Sequence, residues 1–333
     1  MTVFGYGFTG VSFFFVLSGF VLTWSHRPDV HPGQFYRNRV ARIWPLHVLT
    51  MVVSIWVPAF SLMASPSWTA APFVLTLTQA WIPASPFLYS FNGVSWSLSC
   101  EAFFYLLFPL LFRRIAIHIR VARIAGIIIV ALVISVIWLS VYASIPTADY
   151  VLGNMPLYRL GEFVLGMCLA TAMKRGWRPR FQLLHAVGLT ALATMGLFAA
   201  SLILNGMSGP VPVVFANLVM IPGFLALIAS SASRDLSGSG GIMASRTLVR
   251  LGQWSFGLYI VHELVIKLAK PFLNDLPPGD AFAVAVLVVA VSITLSGLLH
   301  EFIEKPAEWW LRSRGGSKKT LPASPLEVHH SKD

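Results

Sequence analysis

Long apolar runs alternate with short polar connections over almost the whole chain. A helix needs about 20 mostly apolar residues to cross the roughly 30 Å hydrocarbon core of a bilayer. Windows of this kind predict an all-α, polytopic transmembrane helix bundle over residues 1–312, followed by a disordered polar tail at residues 313–333. The nine predicted spans lie near residues 4–24, 45–64, 94–112, 124–145, 157–173, 183–204, 211–230, 251–272 and 281–300.

One further apolar window, residues 72–90, is interrupted by Pro72, Pro83 and Pro86. Proline removes a backbone hydrogen bond and breaks a helix, so the remaining pieces are too short to cross a bilayer. We therefore predict an interfacial or re-entrant segment here instead of a tenth span.

The composition agrees with a membrane protein. Hydrophobic residues make up 56% of the chain and charged residues only 11%, whereas soluble domains carry about 25% charged residues. The net charge of +11 comes from basic residues scattered among apolar runs, a pattern that argues against a nucleic-acid partner. The two cysteines, Cys100 and Cys168, lie in apolar runs as packing thiols, and the sequence predicts neither a metal site nor a permanently bound cofactor.

The basic residues predict the orientation. With nine spans and the N-terminus outside, 21 of the 24 Lys and Arg residues fall on the cytoplasmic side, as the positive-inside rule requires. A tenth span at residues 72–90 would move most of that charge outside. The expected protein is a multi-pass protein of the cell membrane with its C-terminus in the cytoplasm.

Ionisable residues inside the predicted spans are candidates for function, because a charge at the bilayer centre costs about 2.5–3.5 kcal/mol on insertion scales. Glu101, in the third span, fits either a carboxylate that handles a proton or a structural hydrogen-bond acceptor. His262, in the eighth span, fits a proton carrier or a helix–helix hydrogen bond.

Two further pairs of ionisable residues have helical spacing. Arg159 and Glu162 are three residues apart, and Glu263 and Lys267 are four apart, so each pair shares a helix face. We favour a structural ion pair for both, with Arg159 and Glu162 kept as further buried polar candidates.

The connection between the first two spans carries the densest positive charge of the chain. Arg37, Arg39 and Arg42 fall within six positions, Trp44 is predicted at the interface, and Pro45 is predicted to open the second span. These arginines fit either anchoring to lipid headgroups or binding of the phosphates of a nucleotide-like donor such as coenzyme A. The residues alone do not separate the two interpretations.

Six stretches, in this order and with this spacing, resemble the acyltransferase-3 family of integral membrane O-acyltransferases, which includes bacterial lipopolysaccharide and peptidoglycan O-acetylases. They are GVSFFFVLSGFVLTW (10–24), RVARIWPL (39–46), WSLSCEAFFYLLFPLL (96–111), LYRLGEFVLGMCLA (157–170), LGQWSFGLYIVHE (251–263) and EFIEKPAEWWLR (301–312).

This resemblance implies transfer of an acyl group, usually acetyl, from cytoplasmic acyl-CoA to a hydroxyl of a carbohydrate, cell-envelope or other small-molecule acceptor. It places the donor-binding Arg-x-x-Arg motif on Arg39 and Arg42, the family's glutamate on Glu101, its arginine on Arg159 and its late-helix histidine on His262. A transporter or flippase of a lipid-linked or hydrophobic substrate is the alternative from another class.

The resemblance also implies one helix more than the nine predicted spans. Family members begin with a helix that bears a basic residue and, about ten positions later, a histidine regarded as the catalytic base. The sequence starts after the corresponding position, so we expect a ten-helix full form, and little or no activity from residues 1–333 alone. A truncated, inactive member of the family is a further alternative.

Overall fold

The computed structural model describes residues 3–27, 30–57, 66–117, 120–205, 213–239, 241–272 and 276–313. Every regular element in these ranges is a helix, so the prediction of an all-α bundle is confirmed. A 3₁₀ helix at Val3–Thr9 precedes the first α-helix, and a π-helix at His300–Glu304 joins the last two. The α-helices, in chain order, are α1 (Gly10–Ser25), α2 (Pro32–Val53), α3 (Ala71–Leu75), α4 (Ser85–Leu88), α5 (Trp96–Ile117), α6 (Val121–Tyr142), α7 (Ile145–Gly153), α8 (Pro156–Lys174), α9 (Leu183–Asn205), α10 (Val213–Leu236), α11 (Arg246–Ala269), α12 (Pro278–Leu299) and α13 (Lys305–Ser313).

Each of the nine predicted spans corresponds to one long helix. Within the described residues, six helices are long and apolar enough to cross a membrane by length and composition. The other three, α2, α8 and α11, are 22, 19 and 24 residues long but carry several charged side chains. The structure is therefore that of a polytopic membrane protein, and the count of nine spans stays a prediction. Residues 58–64 of the second predicted span, residues 211–212 of the seventh and residues 314–333 of the predicted tail lie outside the described residues.

The prediction of a loop between the first two spans was wrong. Helix α2 begins at Pro32, so Arg37, Arg39 and Arg42 lie on a helix, and Pro45 lies inside that helix instead of at its start. Proline fits the first helical position, and the His31 side chain accepts a hydrogen bond from the Gly33 N–H at 3.1 Å to cap this end. An apolar window marks only the part of a helix that lies in the hydrocarbon core. The polar first half of α2 was therefore not recognised as helix.

The apolar window at residues 72–90 forms short pieces, as its prolines predict. Helices α3 and α4 are five and four residues long, and a 3₁₀ helix at Gln79–Trp81 lies between them. None of these pieces is long enough to cross a bilayer. Val74 and Leu88 are nevertheless buried, so the window packs on the protein.

The centre of the bundle is the crossing of α1 and α8, where glycine permits close backbone approach. A Cβ atom added to Gly19 would collide with the carbonyl oxygen of Phe163, and one added to Gly166 would collide with the carbonyl oxygen of Val16. Small residues at such crossings are a common device for packing helices within membranes. This crossing brings the polar side chains of α1 next to those of α8.

Three helices lie at the outside of the bundle. Only 11% of the most apolar window of α6 is buried, and 17% of the corresponding windows of α9 and of the helix that runs through α12. For α5 and α10 the buried share is 50%. Large apolar side chains cover the outer helices, for example Ile127, Leu192 and Val286, and this is the surface expected against lipid.

Candidate active site

Glu101 lies in the second turn of α5 and is 3% exposed. Its Oε1 atom accepts a hydrogen bond from the Ser18 hydroxyl of α1 at 3.3 Å and a short one from the Tyr105 hydroxyl, one turn further along α5. Its Oε2 atom is buried without a hydrogen-bond partner in the described part of the chain. One oxygen of the carboxylate is thus held in place, and the other is left able to accept a proton or a hydrogen bond.

Tyr105 connects this carboxylate to the arginines of α2. The Arg39 guanidinium lies over the Tyr105 ring at 5.7 Å and over the Phe35 ring at 5.8 Å, both within the range of a cation–π contact. Among the described residues Arg39 makes no ion pair, and its Nε atom is buried without a hydrogen-bond partner. Arg39 is therefore held by aromatic faces and keeps its hydrogen-bond donors for another group.

Arg42 lies one turn after Arg39 on the same helix and is half-buried. The groups that act on it electrostatically are Tyr105, Glu304, Glu308 and Glu101. Arg42 thus lies within electrostatic range of the carboxylate on α5 and of two acidic residues, one on the π-helix and one on α13. Arginine forks suit phosphate groups, because they can donate two parallel hydrogen bonds.

A second buried pair, near Arg42, was not predicted from the sequence. His300 and Glu304, on the π-helix, are joined by a contact of 2.9 Å between His Nδ1 and Glu Oε2, and they are 9% and 3% exposed. Their spacing of four residues is a signal that the sequence contains, since the same spacing identified Glu263 and Lys267. π-Helical turns occur frequently at functional sites.

Arg159 and Glu162 form the buried pair that their spacing predicts. Arg159 Nη1 lies 2.6 Å from Glu162 Oε1 and donates to the Ser12 hydroxyl of α1 at 3.2 Å. The guanidinium also lies over the rings of Phe15 and Trp96, at 5.3 and 5.9 Å. The pair bridges α8, α1 and the start of α5, so it fits a structural role at the centre of the bundle.

His262 is half-buried on α11, and its ring orientation is defined by one hydrogen bond. The Nδ1 atom lies 2.6 Å from the backbone oxygen of Tyr259, and because a carbonyl only accepts, Nδ1 carries the proton. In the neutral ring the lone pair is then on Nε2. The described residues show no hydrogen bond or ion pair between His262 and Glu101, so the structure does not join these two candidates directly.

The segment before α5 is clamped to α11, and this fixes the helix of Glu101 against the helix of His262. Glu263 accepts a hydrogen bond from the Val94 N–H at 2.7 Å, and its other oxygen lies 2.7 Å from Lys267 Nζ. Lys267 in turn donates to the carbonyl oxygen of Phe91 at 3.4 Å, and Asn92 donates to that of Ile260 at 2.7 Å. The predicted structural pair is therefore an ion pair with two additional backbone contacts.

Helix α1 is the element that all three groups of candidates share. Ser12 contacts the Arg159–Glu162 pair, Ser18 contacts Glu101, and Phe14 stacks on Tyr259 with ring centroids 6.2 Å apart, next to His262. The candidate residues thus line α1 along its length. Tyr105 links Arg39 and Arg42 to this set of residues, at the end of α1 that contacts Glu101.

Comparison with known proteins agrees with this arrangement. Residues 2–299 match the family described as the acyltransferase domain. The chain belongs to the acyltransferase-3 family. It is 35% identical over 327 residues to the acyltransferase MdmB of Streptomyces mycarofaciens, a match that covers 90% of this chain and 80% of that protein. No solved structure matches the chain.

A second relative is the peptidoglycan O-acetyltransferase OatA of Listeria monocytogenes, which is 24% identical over 331 residues. That match covers 90% of this chain and 51% of the relative, so the chain spans about half the length of this protein. An acyltransferase enzyme is thus the class that family and relatives support, and a transporter is not. The six residues predicted from the sequence all fall inside the family match, whereas His300 and Glu304 lie just after it.

Proposed function

We propose that the chain moves an acyl group, acetyl in the first instance, from acyl-CoA on the cytoplasmic side to a hydroxyl of a saccharide acceptor. The observation that carries this proposal is the linked set Arg39, Tyr105 and Glu101. It puts the guanidinium donors of Arg39 one side chain away from a buried carboxylate oxygen that has no hydrogen-bond partner among the described residues. The name of the Listeria relative supports a glycan acceptor.

The chemistry requires proton transfer at the acceptor and a bound leaving group. The acceptor oxygen attacks the thioester carbonyl, a C–O bond forms, the C–S bond breaks, and the sulfur leaves as coenzyme A thiol. Glu101 and His262 are the groups we assign to passing the proton from the hydroxyl to the leaving sulfur. Glu101 would act through Oε2, which has no hydrogen-bond partner in the described part of the chain, and His262 through Nε2. Arg39 and Arg42 hold the donor's phosphates so that its thioester enters beside α1.

The donor half of the proposal is tested by binding. Replacing Arg39→Ala and Arg42→Ala together should weaken acetyl-CoA binding by tenfold or more, because each hydrogen bond to a charged group contributes about 1.5–3 kcal/mol. The measurement is equilibrium binding to the purified full chain in nanodiscs. Arg246→Ala with Arg250→Ala is the matched control, since both arginines are exposed on α11. Wild-type affinity in the α2 variant would show that these arginines do not bind the donor.

The chemical half is tested by release of free thiol when a saccharide acceptor is added. Turnover by residues 1–333 would overturn the expectation of little or no activity and would make Glu101 or His262 the base. Glu101→Gln keeps the shape of the side chain and removes its charge, so it should lower kcat by about 10²–10⁴-fold, the usual contribution of a general base. Donor affinity should stay within about twofold of the wild type, because the hydrogen bonds from Ser18 and Tyr105 can still form. Unchanged kcat in this variant would remove Glu101 from the mechanism.

A further inference from the structure

A cavity lined by three arginines lies at the ends of α6 and α8, away from the arginines of the donor motif. It has a volume of about 430 Å³, and Arg120, Arg123 and Arg175 line it together with Trp177. Arg175 is held in place by a hydrogen bond to the carbonyl oxygen of Ala116 at 2.8 Å. None of the described residues that line this cavity is acidic. The proposed transfer reaction uses none of these arginines.

The N-terminus of α6 adds to the positive potential of this arginine cavity. Arg120 is the residue before the helix, and Val121 and Ala122 of its first turn line the same space. The first turn of a helix presents unpaired N–H groups and a partial positive charge, and this combination binds phosphate groups in many proteins. A 22-residue helix thus starts at the cavity that the three arginines line.

Two apolar grooves open from the arginine cavity. The first has a volume of about 550 Å³, lies between α6, α8, α9 and α10, and shares Val121, Ala122 and Trp177 with the cavity. The second, of about 520 Å³, is shallow and open: it shares Arg123 with the cavity, follows the outer face of α6 to Ile134, and is lined by residues of α6 alone. At 1.5 Å per residue this second groove is roughly 16 Å long, about half of the hydrocarbon core.

From this juxtaposition we infer that the arginine cavity and its two grooves bind one anionic glycerophospholipid of the cytoplasmic leaflet. The phosphate lies among the arginines at the N-terminus of α6, and the two acyl chains lie in the two grooves. Basic pockets between membrane helices on the cytoplasmic side are the usual sites for acidic lipid headgroups, and Trp177 has the amphipathic side chain typical of this depth. A soluble nucleotide would leave both apolar grooves unfilled and would gain no polar partner from them.

The test uses the purified full chain, stripped of lipid in detergent and then supplied with phosphatidylglycerol or with phosphatidylcholine of the same acyl chains. Native mass spectrometry counts bound lipid, and a thermal melt gives the Tm. Phosphatidylglycerol should remain bound and should raise the Tm by several degrees more than phosphatidylcholine does. Glycerol phosphate, inorganic phosphate and coenzyme A should give no such rise at the same concentration.

Two variants locate the site. Arg120→Gln with Arg123→Gln and Arg175→Gln should lower phosphatidylglycerol binding at least tenfold, and these arginines are exposed, so folding is not expected to fail. Removing the same charge elsewhere, with Arg234→Gln, Arg246→Gln and Arg250→Gln, should leave lipid binding unchanged; all three are exposed arginines as well.

A third variant, Ala122→Trp, fills the junction of cavity and groove and should lower binding with every arginine kept, because Ala122 is exposed and lines both spaces. Equal protection by phosphatidylcholine would overturn the proposal. So would full protection by coenzyme A or free phosphate, since the site would then serve a soluble ligand. Wild-type lipid binding in the triple arginine variant would place the lipid elsewhere.

Discussion

At the scale of single residues, Tyr105 has two separable contacts. Its hydroxyl donates to Glu101, and its ring lies under the Arg39 guanidinium. The hydroxyl acts on the carboxylate that we assign to proton transfer, and the ring acts on the arginine that we assign to the donor. Tyr105 is thus a positioning residue between the two halves of the proposed site.

The two contacts can be tested one at a time. Tyr105→Phe keeps the ring and removes the hydroxyl, so kcat should fall about 10- to 100-fold, the cost of one hydrogen bond to a charged group, while acetyl-CoA affinity stays within about twofold. Tyr105→Leu removes both contacts and should also weaken donor binding by about 3- to 30-fold, the range of a partly buried cation–π contact. The measurements are thiol release and equilibrium binding, with the Tm of both variants as a control for folding. Equal donor affinities in the two variants would show that the ring does not position Arg39.

The sequence predicted the charged members of the site but not their neutral partners. Glu101 and Arg159 stand out because a charge inside an apolar run has an energetic cost, so each needs an explanation. Ser18 does not stand out, because hydroxyl groups occur in membrane helices for many reasons and only the packing of α1 on α5 shows that it contacts Glu101. Tyr105 lies four residues after Glu101 on the same helix, so its spacing was a signal that the sequence contained. A tertiary contact between helices far apart in the chain has no local signal.

At the scale of helices, the α1–α8 crossing decides whether the site can form. Gly19 and Gly166 each face a backbone carbonyl of the other helix with no space for a Cβ atom. Backbone atoms cannot rotate away as side chains can, so the two helices would have to separate. Ser12 would then leave the Arg159–Glu162 pair and lose two hydrogen bonds, one that it donates to Glu162 and one that it accepts from Arg159.

Alanine at either glycine should therefore be destabilising. Gly19→Ala and Gly166→Ala should each lower the Tm by several degrees and reduce the yield of folded protein, since overpacking costs about 1–3 kcal/mol or more. Gly196→Ala is the matched control, because Gly196 lies within α9 with open space around the added Cβ. There the better helix propensity of alanine should leave the Tm unchanged or slightly raised. Unchanged Tm values in the α1 and α8 variants would mean that this crossing is looser than the structure shows.

The helices themselves were predictable, and their ends were less so. Long apolar windows located every long helix, because the bilayer demands both a minimum length and an apolar surface. The start of α2 was misplaced because its first half is polar. A polar helical segment outside the hydrocarbon core has the same low hydropathy as a loop. Asn92 and Gly93 indicate a turn before α5, but the positive φ of 60° falls on Phe91, and no local signal shows that this turn packs on α11.

At the scale of the whole molecule, the clustered arginines and the short helices lie at opposite predicted sides of the membrane. Arg120, Arg123 and Arg175 lie at one end of the bundle, at the ends of α6 and α8 that the positive-inside rule assigns to the cytoplasm. The short helices of residues 71–88 lie at the other predicted side, where the sequence has no Lys or Arg between residues 43 and 112. The proposed donor entry and the proposed lipid site are both on the basic side.

This orientation can be tested by cysteine labelling in intact cells with a membrane-impermeant maleimide. Cys100 and Cys168 are both buried, so the unmodified chain should give a low background. Thr69→Cys and Ser85→Cys, which flank most of the proline-interrupted window, are exposed and should both be labelled from outside. Gln182→Cys, exposed after α8, should be labelled only once the cells are permeabilised. If Ser85→Cys also required permeabilisation, the window would cross the membrane and the orientation of α6 and α8 would reverse. The arginine cavity would then face the outside, where a lipid of the cytoplasmic leaflet cannot reach it.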